Sequence, residues 1–259
     1  MLLRNCDECS TNILKVLDKQ LIAEMLAIEP DAFVDISNID GVILADDAAH
    51  PYLIPAAAAA LQKAIVSAGK SMTINSAYRT LPQQALLYLN QKRCGIVAAA
   101  PGASNHQGFL AIDIEDPYFW QPFLAVHGWR KLGDWDRMHY DFKGRDLRPL
   151  SIEAFQRLAA RNGFTISIDG SMGESTLWTL RNAPIEGYQH AAYPRVLRLT
   201  DPIQRGQDVG KLQLKLGIKA DGIFGAGTAT AVAQWQIAQG LAGDGVVGAA
   251  SRERLELVA

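Results

Sequence analysis

The stretch "SNHQGFLAIDIEDP", residues 104–117, decides how this chain is read. His106 stands seven residues before Asp113, and Asp113 lies inside the apolar run "FLAIDI". Such a run reads as a buried strand. Alternation then puts Ala111 and Asp113 on one face, and Leu110 and Ile112 on the other. A carboxylate in that position needs a compensating partner, because an unpaired buried charge is strongly unfavourable.

A second aromatic-rich strand, "MHYDF" (138–142), offers one. It carries His139, with Asp136 three residues upstream in "DWDRMHYDF". If the two strands pair, His106, Asp113 and His139 form a three-ligand nitrogen and oxygen set. That set suits a catalytic zinc ion with its fourth position open, whereas structural sites more often close all four positions with cysteines. Asp136 is then the candidate proton acceptor for the attacking water. Asp141 alternates with His139 and could orient its ring as a hydrogen-bond acceptor. Spacing alone leaves the bland alternative open, in which each residue is a polar group satisfied at a core edge.

Around these strands the pattern is mixed. "NILKVLDKQLIAEMLA" (12–27) has apolar residues at helical spacing, and "PAAAAALQKAIVSAG" fits a helix bounded by Pro55 and Gly69. "SMTIN" reads as a short strand, and "LPQQALLYLNQKR" as a helix with Pro82 in its first turn. Helices and strands in irregular order predict an α+β fold with a small antiparallel sheet.

The 259 residues are 49% hydrophobic and 20% charged, with a formal net charge of −2. No basic field is available to gather nucleic acid. No apolar run approaches the roughly 18 residues of a membrane span. Arg4, Asp7 and Glu8 interrupt the N-terminus before any signal-peptide core, so the export route is left open. Cys6, Cys9 and Cys94 are too few for a disulfide framework, and Cys6 and Cys9 lack a second pair for a zinc site. All three are expected to be reduced. His50, His127 and His190 have no partner at useful spacing and read as structural or exposed.

Beyond about residue 148 an internal repeat appears. "DGSMGESTLWTL" (169–180), "DGIFGAGTATAV" (221–232) and "DGVVGAASRERL" (244–255) share the template Asp-Gly-x-x-Gly-x-x-Thr/Ser. An apolar-Gln pair precedes each copy: Phe155-Gln156, Leu212-Gln213 and Trp235-Gln236. The first glycine is expected in a positive-φ turn, the second at a close approach, and the hydroxyl residue as a helix cap. Small helical bundles follow from this reading.

Three motifs in the first half resemble one family. "SNHQGFLAID" resembles the Ser-x-His-x-x-Gly-x-Ala-x-Asp signature of the zinc D-Ala-D-Ala carboxypeptidases and L-alanyl-D-glutamate endopeptidases of peptidoglycan. "DRMH" is similar to their acidic-x-x-His motif, and "INSAYRTLPQQ" to their aromatic-Arg motif with a following Gln. The resemblance implies one zinc ion on His106, Asp113 and His139. It makes Asp136 the general base and acid, Arg79 and Gln84 the substrate grip, and Ser104 a neighbour of the site. One departure is Phe109 at the family's glycine position, with Gly108 before it. This predicts a remodelled turn and a bulkier pocket wall.

The end of the chain, with "RGQDVGKLQLKLG", "DGIFGAGTATAVAQWQ" and "GLAGDGVVG", resembles the three-helix peptidoglycan-binding domain. The expected domains are a helical lead over 1–45, a zinc peptidase over 46–148, a diverged partial binding repeat over 149–190 and a binding domain over 196–259. The implied protein cuts a stem-peptide amide at the cell wall, in the periplasm or outside the cell. Its expected partner is peptidoglycan, without nucleic acid or a membrane span. The competing reading is a wall-binding protein whose peptidase domain is inactive.

Overall fold

Helical spacing near the N-terminus becomes a 3-10 turn, Thr11–Leu14, that runs into α1, Lys15–Ile28, in the computed structural model. The structure describes residues 1–46, 49–188, 196–201, 203–205 and 207–255, and His190 lies outside them. Two units result, 1–190 and 191–259.

In the first unit α1 is followed by β1 (Val34–Asp35), β2 (Val42–Leu44) and β3 (Tyr52–Leu53). Helix α2 (Pro55–Ala68) starts on its proline and stops at Gly69, which takes a left-handed φ of 62°. β4 (Met72–Ser76) and α3 (Leu81–Cys94) come next. Thr80 and Gln83 form a reciprocal capping box at the start of α3. Then follow β5 (Ala111–Ile114), α4 (Pro117–Val126), β6 (Trp129–Lys131), β7 (His139–Phe142), α5 (Arg148–Arg161) and α6 (Glu174–Arg181).

β1 and β3 pair as a small ladder of their own, while five strands form the main sheet in the order β2-β4-β5-β7-β6. β2 runs parallel to β4 and every other neighbouring pair in that sheet is antiparallel. Register sets up the chemistry: Asp113 faces His139 across β5 and β7, and Ser76 faces Asp113 across β4 and β5. Ile74, Ile112, Ile114, Trp120, Trp129 and Tyr140 fill one core of this unit. A second core joins Leu14, Leu17 and Leu21 of the N-terminal segment to Leu81 and Leu86 of α3 and Phe155 and Leu158 of α5.

The expectation of three reduced cysteines is overturned. Cys9 and Cys94 form a disulfide across 85 positions of sequence, and Cys6 is the free, buried thiol. Close sequence spacing drew attention to Cys6 and Cys9, but packing brings the N-terminal segment against the end of α3. There Asn90 Nδ2 donates to the Cys6 carbonyl at 2.9 Å.

Phe109 adopts a left-handed φ of 61°, a conformation that favours glycine. Its ring is fully buried, 3.8 Å from the Tyr78 ring and 4.6 Å from that of Phe33, in stacked geometry. The side chain belongs to the core, so the expected bulkier pocket wall gives way to an aromatic sandwich that holds the strained backbone. Gly108 is needed too, since a Cβ there would lie 2.6 Å from Asp146 Oδ1.

Each of the three repeats builds the same kind of local network. The buried Gln156, Gln213 and Gln236 each donate through Nε2 to the template aspartate, at 2.9 Å in every copy. A loop carbonyl and the Thr176, Thr228 or Ser251 hydroxyl also lie 2.9–3.1 Å from the same Nε2, whose two hydrogens serve all three oxygens. The amides of Gly170, Gly222 and Gly245 donate back to the glutamine Oε1. These three glycines take positive φ as expected. The second glycine differs from expectation. Gly173 and Gly225 have open space around a would-be Cβ and serve as extended N-cap residues. Thr176 and Thr228 lie inside the helix, and their hydroxyls turn back to the loop carbonyls of Ser171 and Ile223.

The second unit contains α7 (Gln207–Lys215), α8 (Ala226–Ala238) and α9 (Ala249–Arg254) around Leu197, Val209, Leu212, Phe224, Val232 and Val247. The first repeat, on α5 and α6, packs instead into the second core of the first unit.

Two stability measurements follow. Cys94→Ser is expected to lower the unfolding free energy by about 2–4 kcal/mol in urea titrations, by releasing a long loop in the unfolded chain. Phe109→Gly gains about 1–2 kcal/mol from backbone relief but forfeits about 3–5 kcal/mol of aromatic burial. A net loss near 2 kcal/mol is expected.

Candidate metal centre

Three elements deliver the ligands. His106 sits in a 3-10 turn, Asn105–Gly108, just before β5, while Asp113 comes from β5 and His139 from β7. Both histidines are buried and Asp113 is half-buried. One donor atom from each lies within 4.8 Å of the others, so the trio could hold a metal ion.

Proton accounting sharpens this. His106 Nδ1 is 2.7 Å from the Ala77 carbonyl, which can only accept. Nδ1 therefore carries the hydrogen, and in the neutral ring Nε2 presents a lone pair to the centre. His139 Nε2 is 2.8 Å from Asp141 Oδ1 and carries a hydrogen, so in a neutral ring its Nδ1 would likewise be the bare nitrogen. These two nitrogens face each other at 3.2 Å. Asp113 Oδ1 is 3.1 Å from His139 Nδ1, and Oδ2 is 3.3 Å from His106 Nε2. With both rings neutral, three acceptors would thus converge with no hydrogen between them. A cation resolves the conflict, and the spacing suits one: metal–ligand bonds of about 2.0–2.1 Å imply a tetrahedral edge of about 3.3 Å.

The acid–base balance of the cluster shows the same demand for positive charge. Burial works against a charged His139, but the Asp113 and Asp141 carboxylates outweigh it and raise the ring to about 9. Burial likewise works against the Asp113 carboxylate, yet His106, His139 and Arg79 hold it well below the usual range. A proton takes the place that a metal would claim, and the two compete for the same nitrogen.

Arg79 borders the trio. Its Nη2 is 3.6 Å from Asp113 Oδ2 and donates to Ser76 Oγ at 3.2 Å, while Nη1 donates to Gln84 Oε1 at 3.2 Å. Burial pushes its guanidinium down from its ordinary value, and the charges of Asp113 and Asp136 hold it up. Gln84 is fully buried and donates to the Ala99 carbonyl at 2.7 Å.

Asp136 occupies the turn before β7 and acts on Arg79 through its charge. Among the described residues it forms no ion pair with the trio. Ser104 is buried at the N-cap of the 3-10 turn, but its hydroxyl does not cap the turn. Asp141 stands where strand alternation puts it and also accepts from Asn105 Nδ2 at 2.9 Å. Sequence reasoning missed Asn105 and the Ala77 carbonyl. The former had a signal in its place next to His106, and the latter, a backbone group, had none.

Comparison with known proteins gives two family matches. Residues 51–141 match the VanY family model, D-alanyl-D-alanine carboxypeptidase. Residues 205–255 match the model of a putative peptidoglycan binding domain. These are the family and the architecture that the motifs and the repeat resemble. A search of curated proteins found no match. All seven candidate residues fall inside the VanY match, and the two matches together support a peptidase that acts on peptidoglycan.

Asp141→Asn is expected to weaken metal binding about 10–100-fold, because the ring of His139 loses its charged acceptor. Competition with a chromophoric chelator measures the change.

Proposed function

We propose that this protein is a zinc-dependent peptidase that hydrolyses an amide bond in the stem peptides of peptidoglycan. The observation behind the proposal is the convergence of two imidazole lone pairs and the Asp113 carboxylate inside the VanY match. Two imidazoles and one carboxylate suit catalytic zinc with an open position. Bound there, zinc would supply a Lewis acid for the scissile carbonyl and lower the pKa of water to about 7.

The residues of the chain divide the remaining work. The Ala77 carbonyl and the Asp141 carboxylate fix which nitrogen each histidine turns to the centre. Gln84 and Ser76 hold the Arg79 guanidinium plane from its two ends. A guanidinium so held can bind a substrate carboxylate through parallel hydrogen bonds. Stem peptides offer such carboxylates at the D-alanine terminus and on D-glutamate. Asp136 takes the proton of the attacking water and returns it to the leaving amine nitrogen. Ser104, two residues before His106, is assigned to the surroundings of the bound substrate.

The C-terminal domain keeps the enzyme on an insoluble polymer and so raises the local concentration of scissile bonds. The Cys9–Cys94 disulfide suits the oxidising compartments in which the wall is reached. The inactive-shell alternative rested on Phe109, whose ring lies in the core, so it is not adopted.

Dialysis against a chelator is expected to abolish hydrolysis, and zinc to restore it. Asp136→Asn is expected to keep stoichiometric zinc while losing about 10²–10⁴ in kcat. Mass spectrometry of a defined pentapeptide muropeptide identifies the bond: loss of one alanine marks a D-Ala-D-Ala carboxypeptidase, and a longer released peptide an L-Ala-D-Glu endopeptidase. Intact substrate after incubation with zinc-loaded protein would count against the reading.

A further inference from the structure

A carboxylate with no part in the chemistry above is fully buried on α1. Asp18 lies outside the VanY match, yet its three partners surround the turn that serves the metal centre. Asp18 Oδ1 accepts from the Thr80 hydroxyl at 2.5 Å, and Oδ2 accepts from Gln83 Nε2 at 3.1 Å. His50 Nε2 lies 3.2 Å from Oδ2. Burying a carboxylate is unfavourable unless such partners compensate it, and an apolar side chain would attach α1 at lower cost.

The bonds of Asp18 explain its use. A hydroxyl has one hydrogen to give. Asp18 takes the one on Thr80, which turns an oxygen lone pair towards the Gln83 amide at 3.2 Å and fixes the cap of α3. His50 holds the other side of the same turn, where its carbonyl accepts from the Tyr78 amide at 3.0 Å. Between these anchors lie Ala77, Tyr78 and Arg79. The Ala77 carbonyl orients the His106 ring at 2.7 Å, and the Arg79 amide donates to the His106 carbonyl at 3.2 Å.

We propose that Asp18 is a positioning residue for the metal centre: from the N-terminal helix it locks the Thr80–Gln83 cap, and through it the turn that aims His106 and Arg79. The proposal rests on the zinc reading above and extends it to a helix outside the VanY match. It gives α1 a role in the reaction, and it makes His50 part of a clasp.

Zinc affinity of the full-length protein tests this, read by chelator competition beside kcat and KM on a soluble muropeptide. Asp18→Asn places an amide NH2 against donors and is expected to weaken zinc at least tenfold and to raise KM. Thr80→Val is expected to do the same, and Thr80→Ser to behave like the unaltered protein. Should Asp18→Asn fail to fold, the Thr80 pair still gives the answer. Glu24→Gln is the control: Glu24 is also buried on α1 but pairs with Arg161 of α5. It is expected to lower stability and leave zinc affinity unchanged. Zinc affinity in Asp18→Asn and Thr80→Val equal to that of the unaltered protein, or a loss of the same size in Glu24→Gln, would overturn the proposal. Failure of the unaltered protein to bind zinc would overturn the zinc reading itself.

Discussion

The first unit is organised around a shortage of hydrogen. Two imidazoles, each with the single hydrogen of its neutral form committed elsewhere, and one carboxylate are brought together by the direct pairing of Asp113 with His139. Lone pairs that face each other at 3.2 Å are tolerable only with a positive charge between or beside them. Everything near the trio serves that condition. Ser76 and Gln84 hold Arg79, Asn105 supports Asp141, and the sheet register fixes the strands.

The condition reaches well beyond the ligands. The turn between β4 and α3 orients His106 from one side, while its Tyr78 ring stacks on Phe109 and its hydroxyl lies 2.9 Å from Ser151 Oγ. Phe109 can keep a left-handed backbone because that stack holds it. The strained Phe109 beside His106 and the buried Asp18 are therefore both compensated by contacts from one short segment, Tyr78 to Gln83. Helices α1 and α5, which bear no ligand, both contribute contacts to it.

Much of this was legible from the residues alone. Strand alternation placed Asp113 opposite an apolar face, and the spacing of His106, Asp113, Asp136 and His139 carried the resemblance that the family model matched. The pairing of each glutamine with its Asp-Gly turn was visible as repeated sequence. What stayed hidden depended on packing between distant segments. Nothing near Cys9 points to Cys94, and nothing in the spacing of residues 12–27 marks Asp18 before α1 meets the start of α3. Phe109 invited a pocket-wall reading because the sequence shows a departure from glycine but not the direction in which the ring turns. Likewise a threonine after Asp-Gly-x-x-Gly suggests a cap, while its hydroxyl serves the loop behind it.

The glutamine networks carry one more implication. Gln156 and its aspartate are 13 positions apart, whereas the corresponding pairs in the second unit are 8 apart, yet every Nε2-to-carboxylate distance is 2.9 Å. The motif thus specifies its two ends and leaves the intervening length unconstrained, which chain entropy penalises only weakly. A module of this kind can accept inserted residues without disturbing its geometry. That freedom explains how one template can serve both in the small core of the second unit and as a buttress grafted onto a larger core.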